Sequence, residues 1–422
     1  MIVALLLLVL ALIGVPLFAV IAVGAILAWH GIGVDLQVIA IELSRLAEMP
    51  VLVAIPLFTF AGYMLSESGA PGRLVRLTDA LLGWLPGGLA LVALAACALF
   101  TAFTGATGVT IIALGALLYP ALREAGYPQR FSLGLVTTSG SLGLLFAPSL
   151  PLILYGVVVQ QLHVGEPVTI DALFRAGIVP GLLMVVVLAG YGAWVMRGHA
   201  SLRKRFDAAT AWAAIRESAW EIPLPFVILG GIYGGFLAVS EAAAMTALWV
   251  LAVELLIRRE IPLARLPAVM RDSMVLVGGI IVIHGVSLAS TSYLIDAGVP
   301  QRLFELVQSV VSSRWTFLLL LALFLLVVGM MLDVFSATVL VVPLIVPVAL
   351  AYGIHPVHLG ILFLANMQLG YMTPPVGLNL FLAAYRFEQP LLTVFRAVLP
   401  FLALLTAVTL LITFWPALSL WL

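Results

Sequence analysis

The chain has 422 residues, of which 64% are hydrophobic and only 9% charged, with a formal net charge of zero. A soluble domain carries about a quarter of its residues charged, so lipid must solvate much of this chain. Zero net charge argues against nucleic-acid binding. The single cysteine, Cys97, rules out an internal disulfide and a thiolate metal cluster.

In chain order, the first apolar stretch covers 2–29, interrupted at Gly14 and Pro16. It has no basic leader and is too long for a signal-peptide core, so it reads as retained membrane helix, either one or a broken pair. A spanning helix needs roughly 20 apolar residues. Further candidate spanning or membrane-buried stretches are 49–65, 87–122, 131–162, 174–196, 222–237, 241–257, 273–291, 315–351, 357–386 and 390–421. The short amphipathic segments 66–84 and 300–313 resemble helices lying along a membrane surface.

Basic residues orient the spans, since Lys and Arg favour the cytoplasmic side. Arg197, Arg203, Lys204, Arg205 and Arg216 cluster in one loop, and Arg258, Arg259, Arg265 and Arg271 in another. With both inside, 222–237 goes out and 241–257 returns, turning near Ser240 and Glu241. Segment 174–196 then starts outside, after a link bearing Glu166 and Asp171 and no basic residue. Arg73, Arg76, Arg123 and Arg130 fall inside. Segment 87–122 therefore starts and ends on the cytoplasmic face and reads as a hairpin with its tip near Thr104 to Thr110. By the same walk, 315–351 enters and leaves from outside, with its tip near Leu332 to Thr338.

An internal repeat accounts for this pair. Gly126-Tyr127 resembles Gly353-Ile354, and Gly143-Leu144-Leu145-Phe146-Ala147-Pro148 resembles Gly370-Tyr371-Met372-Thr373-Pro374-Pro375, both at an offset of 227 (353 − 126 and 370 − 143). Upstream, Arg73 matches Arg302 at an offset of 229 (302 − 73). Halves that enter from opposite faces make an inverted-topology repeat, an architecture of carriers that bind solute near the midplane.

Each half carries one helix with Gly, Ser, Thr and Pro where lipid would favour Leu. These run Thr137-Thr138-Ser139-Gly140-Ser141 to Pro148-Ser149-Leu150-Pro151, and Asn366-Met367-Gln368 through Thr373-Pro374-Pro375-Val376-Gly377-Leu378-Asn379. Proline removes a donor and clashes with the preceding turn, so both helices should break, if the prolines are not mere packing kinks. Freed carbonyls at membrane depth are tolerated only inside protein or beside a cavity. They suit a hard cation such as sodium, while the next half-helix offers amides to an anion. The hairpin tips, with Thr104, Gly105, Thr107 and Thr110 in one and Gly329, Asp333, Ser336 and Thr338 in the other, supply the missing faces. Asp333, in an apolar run, reads either as a partner to a cation or as a helix cap.

The remaining polar residues have plainer readings. His284 reads as a hydrogen-bonded core histidine, Glu254 as a snorkelling side chain and Glu241 as a cap. His355 and His358, without a nearby acid, are not expected to hold a metal. No nucleotide loop, nucleophile elbow or zinc-protease motif occurs, so the chain is not read as an enzyme and no catalytic residue is assigned.

The runs Ile55-Pro56-Leu57-Phe58 with Ala61-Gly62, Gly143 to Ser149 with Tyr155-Gly156, Gly230-Gly231-Ile232-Tyr233-Gly234-Gly235 with Glu241-Ala242, and Gly370 through Asn379 resemble the large membrane (M) subunit of tripartite ATP-independent periplasmic (TRAP) transporters. The resemblance spans essentially the whole chain. It implies an all-α polytopic fold with inverted-topology repeats, two re-entrant hairpins and two broken helices, working as an elevator. The halves would be 1–196 and 222–422, joined by a basic cytoplasmic linker at 197–221. It implies sodium coupling with two or more ions, no organic cofactor, a small Q-type membrane subunit, and a periplasmic P-type binding protein that delivers an organic acid. The location would be the bacterial inner membrane.

Carried over by motif, one sodium site would use Thr104, Gly105, Thr107, Gly143 and Pro148, and the other Gly329, Gly370, Thr373 and Val376, with Asp333 helping to hold the second tip. Ser141, Ser149, Ser336 and Asn379 are candidates to face the solute. Ala147-Pro148 stands where the family usually has two prolines. Competing readings are a binding-protein-independent sodium/carboxylate carrier of related fold and a non-transporting membrane scaffold, though a scaffold has no need of paired helix breaks.

Overall fold

The computed structural model describes the chain apart from residues 1, 36, 48, 86, 166, 198–205 and 422, so Glu166, Arg203, Lys204 and Arg205 lie outside the described residues. All regular structure among the described residues is helical. Ile2–Leu12 (α1) and Leu17–Gly31 (α2) settle the open reading of the first stretch as a broken pair. The break holds Gly14 at a φ of 84° and the helix-starting Pro16. Gln37–Ala47 (α3) follows, then a 3-10 turn at Pro50–Val53 that runs into Ala54–Glu67 (α4). The amphipathic segment is Ala70–Leu82 (α5).

The first hairpin comprises Gly88–Thr104 (α6) and Thr107–Glu124 (α7). The first broken helix comprises Gln129–Ser139 (α8), a 3-10 turn at Leu142–Leu145, and Leu150–Leu162 (α9), bent by 40°. Ile170–Val195 (α10) closes this half. Ala208–Glu217 (α11), Pro223–Tyr233 (α12) and Val239–Ala252 (α13) come next, with a π-helical turn at Val253–Ile257. Leu266–Asp296 (α14) and Val299–Val310 (α15) precede the second hairpin, Arg314–Met331 (α16) and Val334–Ala351 (α17). Pro356–Gly370 (α18) and Leu378–Arg386 (α19) form the second broken helix, and Leu391–Phe414 (α20) is the last long one. Among the described residues, seven helices are long and apolar enough to cross a membrane.

The order α4 to α10 recurs as α14 to α20. The second hairpin arms start 227 residues apart (334 − 107), as do the broken helices (356 − 129). The two second arms also close alike. After α7, Gly126 takes a φ of 80° while Tyr127 N–H bonds to Leu122 O at 3.0 Å; after α17, Gly353 takes 71° while Ile354 N–H bonds to Ala349 O at 3.0 Å. A left-handed residue just past a helix end favours glycine because it lacks a Cβ. That requirement explains the repeated Gly-aromatic/aliphatic pair.

The halves interlock crosswise. The first hairpin's arm α7 packs on α19, and the second hairpin's arm α17 packs on α9. Gly108 lies against Leu382, and Arg386 Nε donates to Ile112 O at 3.1 Å. In the second hairpin the arms barely touch each other; α16 lies along α18 instead.

Two expectations are corrected. Glu254 does not snorkel: it is fully buried, with Arg73 Nη2 at 3.4 Å. Segment 222–237 yields only an 11-residue helix, about 16 Å long, which is short of the roughly 30 Å apolar core. Glycine-rich irregular chain from Gly234 completes that stretch instead of a regular span. Glu241 does cap its helix, accepting from Ala238 N–H at 2.8 Å.

The basic regions converge on one end. Arg73 meets Glu221 at 2.6 Å, Glu254 at 3.4 Å and also Glu260. Arg76 grips Glu217 with two nitrogens at 2.6 and 3.1 Å, and that bond holds the Glu217 carboxyl below the usual carboxylate range. Arg265 reaches Glu67 at 3.1 Å. The amphipathic α5 is therefore tied to both basic loops, which places them on the same side, as the charge walk requires.

Candidate functional site

Two junctions form where a hairpin tip meets a helix break. At the first, α6 ends in Gly105, whose φ of 64° reverses the chain into α7. Thr101 Oγ1 donates to Gly140 O at 2.9 Å and lies 2.6 Å from Thr110 Oγ1, linking both arms of the tip to the break. Gly143 lies so close to α6 that a Cβ there would come within 2.5 Å of Ala98 O and Ala102 N. A Cβ on Gly105 would fall 2.5 Å from the Leu150 side chain, two residues past Pro148. Thr104, Thr107 and Pro148 are buried around this junction. On the outside of the tip, Gly62 lets the backbone of α4 approach Thr104, so that a Cβ on Gly62 would lie only 2.6 Å from the Thr104 Cα.

The second junction is a backbone-to-backbone contact. A Cβ on Gly370 would lie 2.3 Å from the Gly329 carbonyl carbon and 2.5 Å from its Cα. Gly377 N–H bonds to Met330 O at 3.2 Å, joining the far side of the break to the tip. The first three amides of α17 each have a side-chain acceptor. Tyr371 Oη takes Val334 N–H at 2.5 Å, and Asp333 Oδ1 takes Phe335 N–H at 2.9 Å and Ser336 N–H at 3.1 Å. Ser336 Oγ donates to the other Asp333 oxygen at 2.5 Å. Asp333 is thus the helix cap. Thr373 Oγ1 donates to Leu369 O at 2.8 Å, while the Val376 side chain is exposed. The prolyl peptides Ala147-Pro148 and Pro374-Pro375 are both cis.

Of the solute-facing candidates, all four are buried. Ser141 Oγ donates to Thr138 O at 3.3 Å, and Ser149 Oγ to Leu144 O at 2.6 Å. Asn379 Nδ2 reaches Thr137 O in the other half at 3.4 Å, while its Oδ1 has no partner among the described residues. Two further buried residues near the breaks have groups without partners there, Thr138 at Oγ1 and Gln368 at both amide atoms. Unpaired buried groups of this kind mark places where water, ions or ligand complete the structure.

Sequence reasoning passed over Thr101 and, although it placed Gly140 and Tyr371 within the break motifs, gave them no role of their own at the junctions. Thr101 had a signal, being a hydroxyl one turn before Thr104 in an otherwise apolar helix. The role of Tyr371 depends on a contact across 37 residues. The expectation for His284 holds: its Nε2 pairs with Gln161 Nε2 at 3.2 Å. His355 caps α18, and His358 pairs with Ser419. Cys97 is buried.

An all-helical membrane fold with a repeated hairpin and broken helix defines a polytopic permease. A structural relative agrees in fold: the Alcanivorax borkumensis YdaH transporter, described as having an unusual topology, superposes with a TM-score of 0.62 over 90% of this chain and 87% of that one, at 14% identity. Residues 1–418 match the family described as "Tripartite ATP-independent periplasmic transporter, DctM component", and the chain belongs to that family. It is 33% identical over 397 residues to the C4-dicarboxylate TRAP transporter large permease protein DctM of Rhodobacter capsulatus, covering 92% of this chain and 90% of that protein. It is 32% identical over 410 residues to the isethionate TRAP transporter permease protein DctMQ of Oleidesulfovibrio alaskensis, covering 96% of this chain and 63% of the longer relative.

Proposed function

We propose that this chain carries an organic acid across the bacterial inner membrane by sodium-coupled symport. The acid is delivered by a periplasmic binding protein, and a small membrane subunit works alongside. The observation that supports this reading is the pair of tip-to-break junctions, where buried hydroxyls, carbonyls and closely approaching glycines gather at interrupted helices. Hydroxyl and carbonyl oxygens are the donors on offer there, which suits a hard monovalent cation rather than a transition metal. Sodium is a co-transported ion in this reading. Thr104, Gly105, Thr107, Gly143 and Pro148 surround the first ion, and Gly329, Gly370, Thr373 and Val376 the second.

The dicarboxylate and isethionate named for the relatives are both organic acids, which points to that solute class. The DctMQ relative is long enough to include a fused small subunit, which supports a partner of that kind. The crosswise packing of α7 on α19 and α17 on α9 makes the hairpins and broken helices one block, able to slide as an elevator against α4 and α14.

Proteoliposomes containing the complete system should take up solute when sodium is outside and without ATP. Equal uptake in potassium-only buffer with no pH gradient would overturn the coupling. The inverted repeat has its own test. Single cysteines at Gln129 and His355, in a Cys97→Ala background, should label from opposite faces of intact cells; labelling of both from one face sinks the inversion.

A further inference from the structure

Between α3, α9, α14 and α17 lies a cavity of about 490 Å³, within the range of small-molecule sites; its lining includes the buried carboxylate of Glu42 on α3, which has a partner of its own. None of its described lining residues belongs to a tip or a break. Val158 is eight residues beyond the start of α9 (158 − 150) and Pro343 nine beyond the start of α17 (343 − 334). At about 1.5 Å per residue the cavity is roughly 12 Å from the junctions, toward the end that the charge walk assigns to the outside.

The wall contributed by α14 is a polar stripe. His284, Ser287, Thr291 and Ser292 recur at helical spacing along one face, in a helix otherwise apolar enough to span a membrane. His284 is 1% exposed and Ser287 2%, yet His284 Nδ1 and Ser287 Oγ have no hydrogen-bond partner among the described residues. Two such groups at membrane depth are costly unless something completes them. Across the cavity, the Gln161 amide donates to His284 Nε2 at 3.2 Å and contacts Met49 Sδ at 2.9 Å. With Nε2 accepting, the imidazole proton lies on Nδ1, so the free groups are one N–H and one hydroxyl. These are neutral donors that match carboxylate or hydroxyl oxygens.

We propose that this cavity is an outer waiting site, where an oxygen-rich organic acid binds through His284 and Ser287 before it reaches the junctions. The proposal rests on the carrier reading. The cavity has walls on both the hairpin-bearing block, through α9 and α17, and the flanking helix α14, so movement between them would open or close it.

The test places a single cysteine by Thr291→Cys, at a half-buried position on the same cavity wall, in a Cys97→Ala background of the complete transporter. A membrane-impermeant methanethiosulfonate is added from outside, with malate and isethionate as probes. Labelling should occur from outside, and at least one acid should slow it. Ser287→Leu should raise the KM for uptake about fivefold, the equivalent of one lost hydrogen bond, with the sodium dependence unchanged. Absence of labelling from outside overturns the proposal. So does labelling that neither acid slows, the behaviour of a merely hydrated crevice. If neither acid is taken up by the unmodified transporter, the carrier reading loses its solute class, while protection of the cysteine still decides the site.

Discussion

The two junctions share a topology and differ in how they satisfy their backbone. In the first, ten residues separate α8 from α9 (150 − 139 − 1), including a 3-10 turn, and they are largely buried. A threonine hydroxyl reaches from tip to break, and α7 starts without a side-chain cap. In the second, seven residues separate α18 from α19, and Pro374, Pro375 and Val376 are exposed. There the tip is held by a carboxylate and a phenol that take three successive amides. The same repeat position diverges outside the junctions too. Arg73 is buried among three glutamates, whereas its counterpart Arg302 is exposed with no ion pair among the described residues. Duplicated halves keep the path of the chain and the close glycines, and each then finds its own partners for the groups that the path leaves unpaired.

Removing the glycine contacts should have the largest effect. Gly370→Ala and Gly143→Ala each force a methyl into backbone, where flexible side chains cannot yield. Overpacking of this kind costs about 1–3 kcal/mol or more, so both variants should lose most sodium-driven uptake. Gly190→Ala, with open space at its Cβ position, should be silent. Loss at one junction and not the other would show that only one is used.

The arginine pair comes next. Arg73→Ala leaves three carboxylates around an empty centre, two of them buried, and breaking a buried pair costs about 3–5 kcal/mol. A lower midpoint of thermal unfolding in detergent is expected, with Arg302→Ala unchanged. Equal midpoints for the two variants would mean that the burial of Arg73 contributes no stability.

The hydroxyls should separate the junctions more finely. Thr101→Val cuts the bond that joins tip to break, at about 1–3 kcal/mol for the Gly140 carbonyl left behind. Thr373→Val loses only a bond within its own segment, so it should weaken sodium dependence while leaving stability nearly unchanged. Unaltered sodium dependence in Thr373→Val counts against that residue as a ligand.

The smallest effect is expected at Asp333. Asn caps about as well as Asp, and the Oδ1 that takes both amides is retained in Asp333→Asn. Sodium half-saturation should stay near the unmodified value. A large rise in a well-folded variant would show that the carboxylate serves the ion as well as the cap.

The sequence by itself determined the membrane class, the two hairpins, the two breaks and the repeat. Those features follow from local chemistry that any neighbourhood must respect: apolar length for lipid, glycine where φ is positive, proline where a helix must stop. Gly126 and Gly353, or Pro148 and Pro375, are legible without a structure for that reason. Only the tertiary structure decided which partner each polar group took. Glu254 read as a snorkelling acid because nothing local shows that Arg73, 181 residues away, turns it inward. Thr101 and Tyr371 became junction residues through contacts of 39 and 37 residues' separation. The cavity beside His284 likewise arises from elements that meet only when the halves interlock. Partner choice depends on distance in space, and a linear pattern of residue types does not encode which distant segments come within hydrogen-bonding reach.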